Sequence, residues 1–274
     1  MNAEASKHEL EQLLTWYVES GADEAIGDTP VNRIKVPRPN SALAPTVSTT
    51  TGESAPRKPG MKLPIESTDE TAASACAIAA TCLDLSSLRT ALDAFNGCAL
   101  KKTATQLVFS DGNPDAEVML VGEAPGGDED RVGRPFVGPA GKLLDLMLSA
   151  IGLDRTRAYI TNIVPWRPPG NRNPSDNEVA ICLPFLHRHI ELVRPRILVL
   201  VGGVPANALL GVKQGITKVR GRWHIYRGNP HAHDGTEIPT MPIFHTAYLL
   251  RSPAKKKEAW RDLLEIKKRL EESG

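Results

Sequence analysis

The sequence predicts an α/β fold: three layers of helix, sheet and helix built on a central, mostly parallel, four-stranded sheet. Three observations predict it. Four short apolar runs recur along the chain, segments with helical spacing separate them, and 274 residues with 41% hydrophobic content can enclose one sizeable core. The runs are residues 117–122, 158–164, 196–202 and 240–245, rich in Val, Ile, Leu and Thr. Strands buried on both faces of a parallel sheet need such near-continuous apolar composition. Between them, Leu143, Leu144, Met147, Leu148 and Ile151 form one helical stripe, residues 179–193 a second and 204–210 a short third. A last helix over 253–270 gathers Trp260, Leu263, Leu264 and Ile266 on one face and Lys and Arg on the other. Ahead of the first strand, residues 72–92 predict an Ala- and Leu-rich helix ending near Gly97.

This places the folded domain at 71–274. Residues 8–26 carry Leu10, Leu13, Leu14, Tyr17 and Val18 at helical spacing, so 1–26 is expected to hold a short amphipathic helix. That helix either docks on the domain or binds a protein partner. Residues 27–70 are rich in Pro, Ser and Thr without periodicity, the composition of a disordered linker.

No apolar run is long enough to span a bilayer, and residues 1–10 are too polar and acidic for a secretory signal, so a cytoplasmic protein with no membrane partner is expected. The four cysteines are then reduced thiols or metal ligands. The net charge of +1 hides an asymmetry: from Ile181 onward 16 Lys and Arg stand against 8 Asp and Glu. The second half can follow a phosphate backbone; the first cannot.

In an open parallel sheet, ligands bind outside the carboxyl ends of the strands, where loops converge. Here the first strand ends in Gly122-Glu123-Ala124-Pro125-Gly126, the second in Thr161-Asn162, the third in Gly202-Gly203 and the fourth in the segment from His245 to Arg251. A carboxylate, an amide, a glycine turn and an imidazole therefore meet on one edge. Gly-x-Gly-x-x-Gly and a Lys-Ser/Thr phosphate loop are both absent, as is the Gly-x-Ser-x-Gly of serine hydrolases.

The segments Gly122-Glu-Ala-Pro-Gly126, Glu129-Asp130, Gly133-Arg-Pro-Phe-Val-Gly138, Ala140-Gly141, Tyr159-Ile-Thr-Asn-Ile-Val164, Arg167-Pro-Pro169, Asn171-Arg172 and His245-Thr-Ala-Tyr-Leu-Leu-Arg251 resemble, in order, the type 4 uracil-DNA glycosylases. The resemblance implies a DNA-repair enzyme that flips uracil out of DNA and hydrolyses its N-glycosidic bond, leaving an abasic site. It implies that Glu123, His245 and Asn171 serve catalysis. Glu123 would place water, His245 would donate to the O2 atom of the departing base, and Asn171 would act as a partner of Glu123. Gly122, Ala124, Phe136, Asn162 and Glu129 would bind uracil, with Phe136 stacking, Asn162 reading the base edge and Glu129 excluding the methyl group of thymine. Leu249, wedged into the stack, Arg251 and Gly203 would contact DNA. The alternative is a weak or inactive enzyme that binds uracil or single-stranded DNA.

The chain departs from the family in two places. Where four cysteines usually hold a 4Fe–4S cluster, the corresponding positions are Phe95, Cys98, Trp166 and Cys182. Two ligands are missing and both replacements are large aromatics, so a cluster-free enzyme with an aromatic core is expected. Cys76 and Cys82 keep the number of thiols at four, but lie well upstream. The second departure is Thr246, where the family usually has proline, and it predicts a more mobile loop after His245.

Overall fold

The computed structural model describes residues 68–229 and 237–272. All of these lie in one compact unit, Lys62–Gly274. The helix and linker expected over 1–26 and 27–70 fall almost wholly outside the described residues.

Among the described residues the sheet has six strands, β1 Asp111–Gly112, β2 Val118–Gly122, β3 Ala158–Asn162, β4 Ile197–Val201, β5 His224–Tyr226 and β6 Ile238–Ile243, in the order β1-β3-β2-β4-β6-β5. The four expected strands are its parallel centre. β1 and β5 add antiparallel edges. Both edges are too short to carry an alternating pattern, which is why the sequence predicts four strands and the fold has six. β1 also depends on its glycine: Gly112 has φ +100°, and a Cβ there would sit 2.1 Å from the carbonyl oxygen of Ala158.

Side chains of the central strands alternate between two apolar layers. Met119, Val121, Tyr159, Leu198 and Leu200 face one, and Val118, Leu120, Ile160, Val199 and Val201 the other. The first layer is closed by α1 Thr68–Ala80, α2 Leu85–Ala94 and α5 Asp176–Val193; the second by α4 Pro139–Ser149 and two helices near the C-terminus, α8 Thr246–Arg251 and α9 Lys256–Glu271. α3 Gly127–Val132, α6 Gly203–Leu210 and α7 Ile216–Val219 are the remaining α-helices among the described residues. The three-layer α/β/α arrangement is the expected one.

Two helices differ from expectation. The single helix foreseen over 72–92 is broken at Asp84, which caps α2: its carboxylate accepts from the Ser87 backbone N–H (2.7 Å) and the Ser87 hydroxyl accepts from the Asp84 N–H (3.1 Å). On α9 the buried stripe is Ala259, Asp262, Leu263 and Ile266, while Trp260 and Leu264 are 42% and 43% exposed. An acid takes a core position because Arg220 Nε donates to Asp262 Oδ2 at 2.8 Å. The pairing turns the helix away from its most apolar face.

A second buried acid, Asp130 on α3, accepts from the Thr105 N–H (2.8 Å), the Thr105 hydroxyl (2.7 Å) and the Gln106 N–H (3.4 Å). It fastens the segment before β1 to the first site loop. Asp130→Ala strands these donors in the interior, and urea unfolding is expected to show a loss of about 2–4 kcal/mol; an unchanged midpoint would remove this role.

Candidate active site

The central strands end level because they pair in parallel register. Gly122 pairs with Asn162, and Val201 with Ile243. The next residues along each strand therefore share one edge. They border a cleft of about 480 Å³ lined by Glu123, Ala124, Phe136, Asn162, Asn171 and His245, with Arg251 at its rim.

One wall is the Phe136 ring, in a loop that the surroundings hold in an unusual shape. Phe136 has φ +55°, a conformation that costs an L-residue about 1–2 kcal/mol. Three features hold it there. The Glu129 carboxylate accepts from the N–H groups of Val137 (2.9 Å), Gly138 (2.8 Å) and Gly126 (3.0 Å), tying the two site loops together. Arg155 donates to the carbonyl oxygens of Phe136 and Pro135 and is itself held by Asp111 (2.5 Å) and Asp145 (2.9 Å). Gly141 lets α4 touch the loop, since a Cβ there would lie 1.8 Å from the Phe136 carbonyl oxygen.

Beneath the ring, Gly122 has no room for a side chain. A Cβ would sit 2.3 Å from Asn162 Oδ1 and 2.7 Å from the Phe136 ring. Asn162 is buried and its Oδ1 has no hydrogen-bond partner. An orphan acceptor beside an aromatic face suits a planar ligand with an N–H on its edge.

On the opposite side, His245 caps α8. Its Nδ1 accepts from the Ala247 N–H (3.1 Å), so the proton of the neutral ring resides on Nε2. Burial, aided by the positive charge of Arg251 and opposed by Glu129, pulls its pKa down to about 4. The ring is therefore an uncharged donor at neutral pH. It lies 5.8 Å from the Phe136 ring centre, tilted by 30°. Gly202, with φ +109°, passes close behind: a Cβ would be 3.3 Å from that of His245. Burial also pushes the Glu123 carboxyl above its ordinary pKa, and among the described residues that carboxylate has no hydrogen-bond or ion-pair partner.

The profile of the uracil DNA glycosylase superfamily matches residues 109–264. The chain belongs to this superfamily. It is 40% identical over 176 residues to the type-4 uracil-DNA glycosylase of Sulfurisphaera tokodaii, covering 62% of this chain and 77% of that protein. It is 41% identical over 156 residues to that of Thermotoga maritima, covering 57% and 77%. A type-5 uracil-DNA glycosylase of Pyrobaculum aerophilum is 36% identical over 118 residues, 37% of this chain and 51% of that protein.

Within this superfamily fold, the expected site residues do not all meet at the cleft. Glu123, Ala124, Phe136, Asn162, Asn171, Glu129, His245 and Arg251 all border the cleft, and Gly122 floors it. Gly203, the first residue of α6, lies on the same edge near Ile216. Leu249 is the clear correction: it is 0% exposed and packed in the second apolar layer, so it cannot wedge into DNA without leaving the core. Leu250, beside it, is 43% exposed. Asn171 makes its side-chain bond to Arg167 Nε (2.8 Å) and not to Glu123. Both Glu129 oxygens are engaged by backbone N–H groups, which makes it a loop tie before anything else. Thr246 is fully buried and its hydroxyl has no partner. Arg155 carried no sequence signal, because its importance lies in backbone atoms distant along the chain.

The cluster positions are filled by protein. Phe95 packs edge-on against Phe185 at 5.1 Å, and Trp166 is fully buried. Cys98 and Cys182 are buried, and each thiol acts on the other, lowering the first and raising the second. Cys82 is buried elsewhere, donating to the Ile78 carbonyl oxygen at 3.5 Å. Two thiols and two aromatic rings do not fit a 4Fe–4S cluster, which needs thiolate at each iron. Anaerobically purified protein is expected to contain no stoichiometric iron and to lack iron–sulfur absorption. Separately, Arg155→Met is expected to destabilise the fold by about 2 kcal/mol and raise KM more than it lowers kcat, measured by urea unfolding and excision kinetics.

Proposed function

We propose that the chain is a uracil-DNA glycosylase: it hydrolyses the N-glycosidic bond of uracil in DNA, with the base extruded into the cleft and an abasic site left behind. The observation that carries this reading is the unpartnered Asn162 Oδ1 beside the Phe136 ring, opposite the uncharged His245. Uracil presents an N3–H for that oxygen and an O4 for the amide N–H, and its flat face suits Phe136. Stacking of this kind is worth about 1–3 kcal/mol against the cost of flipping.

Breaking the bond leaves negative charge on the base and positive charge on the sugar. His245 Nε2–H is the donor for O2 of the departing base. Because the ring is already neutral and fixed by its cap, it need not reorganise as the charge develops. The Glu123 carboxylate serves the other half of the reaction, facing the cationic sugar and orienting the water whose oxygen joins the anomeric carbon. Arg251 at the rim suits a phosphate, and the exposed Leu250 beside it on α8 is the residue available to fill the gap in the stack.

Incubation with a uracil-containing oligonucleotide followed by alkali is expected to break the strand at uracil, while a shifted band without breaks would mark a binding protein instead. His245→Ala is expected to lower kcat by about 100- to 1000-fold. The pH dependence follows from the two shifts. With its pKa lowered to about 4, His245 stays neutral from pH 8 to 5 and adds no inflection there. Glu123, shifted upward, gains its proton sooner than an ordinary glutamate as pH falls, so kcat/KM should drop on the acid side above the usual Glu range. An inflection near the ordinary histidine pKa that disappears in His245→Ala would contradict this assignment.

A further inference from the structure

Beside the candidate active site lies a second cleft, of about 730 Å³, edged by Lys218, Arg222 and Arg261 and floored by Arg220 and Asp262. The floor is internally satisfied. Arg220 holds the buried Asp262 through two nitrogens and donates to the Glu258 carbonyl oxygen at 2.8 Å. The edge is not. Lys218, Arg222 and Arg261 are exposed, and among the described residues none makes an ion pair or side-chain hydrogen bond. The carboxylate facing them without a partner is Glu265, so the rim is net positive.

The topology puts this rim on the edge of the sheet that carries the active-site cleft. β5 runs antiparallel to β6 with His224 opposite Thr240, so the residues that precede β5 run on toward the end of β6. The Gly221 N–H donates to the Pro242 carbonyl oxygen at 3.0 Å, one residue before the end of that strand. In strand order the edge presents Asn162, Glu123, Gly202, His245 and then Arg222. From the β2 end to the β5 start is three strand spacings, about 15 Å. That is about four nucleotides of a duplex strand at roughly 3.4 Å each.

We propose that this cleft holds the phosphate backbone of the DNA strand flanking the extruded base. Lys218, Arg222 and Arg261 supply affinity and its salt dependence without touching the base, and Gln214 and Thr217 add neutral hydrogen-bonding groups along the same wall. Two guanidinium forks and an ammonium match phosphate oxygens; Arg261 feels the charge of Glu258, but among the described residues none of the three is held in a hydrogen bond or close ion pair, which leaves the donors available. The inference rests on the glycosylase reading and extends it to the path of the strand.

The test compares wild type with the triple variant Lys218→Ala, Arg222→Ala, Arg261→Ala in the full chain. The substrates are a trinucleotide with central uracil and a long uracil oligonucleotide. With the long substrate, kcat/KM at moderate salt is expected to fall by tenfold or more. The slope of log kcat/KM against log salt should flatten by about 0.7–0.9 for each phosphate no longer neutralised. On the trinucleotide the two proteins should agree within about twofold, because the active-site cleft is intact. Equal losses on both substrates, or an unchanged salt slope, overturn the proposal. If the triple variant melts early, Arg222→Ala and Lys218→Ala alone should each give part of the salt effect. If wild type excises from neither substrate, the glycosylase reading fails. Binding of a long uracil-free oligonucleotide then still tests the cleft, which is upheld if the variant binds more weakly. Competition by polyglutamate that the variant loses while retaining DNA affinity would assign the cleft to an acidic protein segment and overturn the proposal.

Discussion

Parallel pairing in register is the constraint on which the site depends. Gly122 opposite Asn162 and Val201 opposite Ile243 make four strands stop together, so that Glu123, Asn162, Gly202 and His245 need only short continuations to face a common space. A slip by one residue would turn every strand side chain to the opposite layer. The two apolar layers that close the sheet hold that register, and the geometry of the cleft is therefore a consequence of burial at a distance from it.

Burial also tunes the chemistry. The desolvation that makes His245 an uncharged donor raises the Glu123 carboxyl, so one environment moves an imidazole down and a carboxyl up. Both shifts work against charge, and the transition state supplies what each side lacks: an anionic base for the donor and a cationic sugar for the carboxylate. Glu129 and Asp130, adjacent on α3, divide the structural work. Glu129 collects backbone N–H groups from the two site loops, and Asp130 those of the segment leading to β1. A helix of six residues thereby joins the active-site edge to the rest of the domain.

The corner formed by Phe95, Cys98, Trp166 and Cys182 is closed by packing. Phe95 and Trp166 fill the space with dispersion contacts, and Cys98 and Cys182 are buried in the same layer. The corner lies within the apolar layer that also holds α1, α2 and α5. It supports the sheet from the face opposite α4 and α9.

The sequence by itself determined the layer order, the parallel centre of the sheet and the residues at its carboxyl edge, because apolar runs buried on both faces and glycine-rich strand ends are local patterns. Tertiary structure alone decided which neighbour was usable. Leu249 and Leu250 are adjacent and chemically alike, yet one packs in the core and the other faces solvent. Trp260 and Leu264 belong to the apolar stripe of α9, yet the Arg220–Asp262 pair rotates them outward. Glu129 and Arg155 owe much of their importance to backbone groups beyond their own helical turn, at Val137 and Gly138 for the first and at Pro135 and Phe136 for the second, and the edge strands are too short to show a period. Periodicity identifies the face a helix can bury, but partners far along the chain fix how that face is turned, and composition does not encode those partners locally.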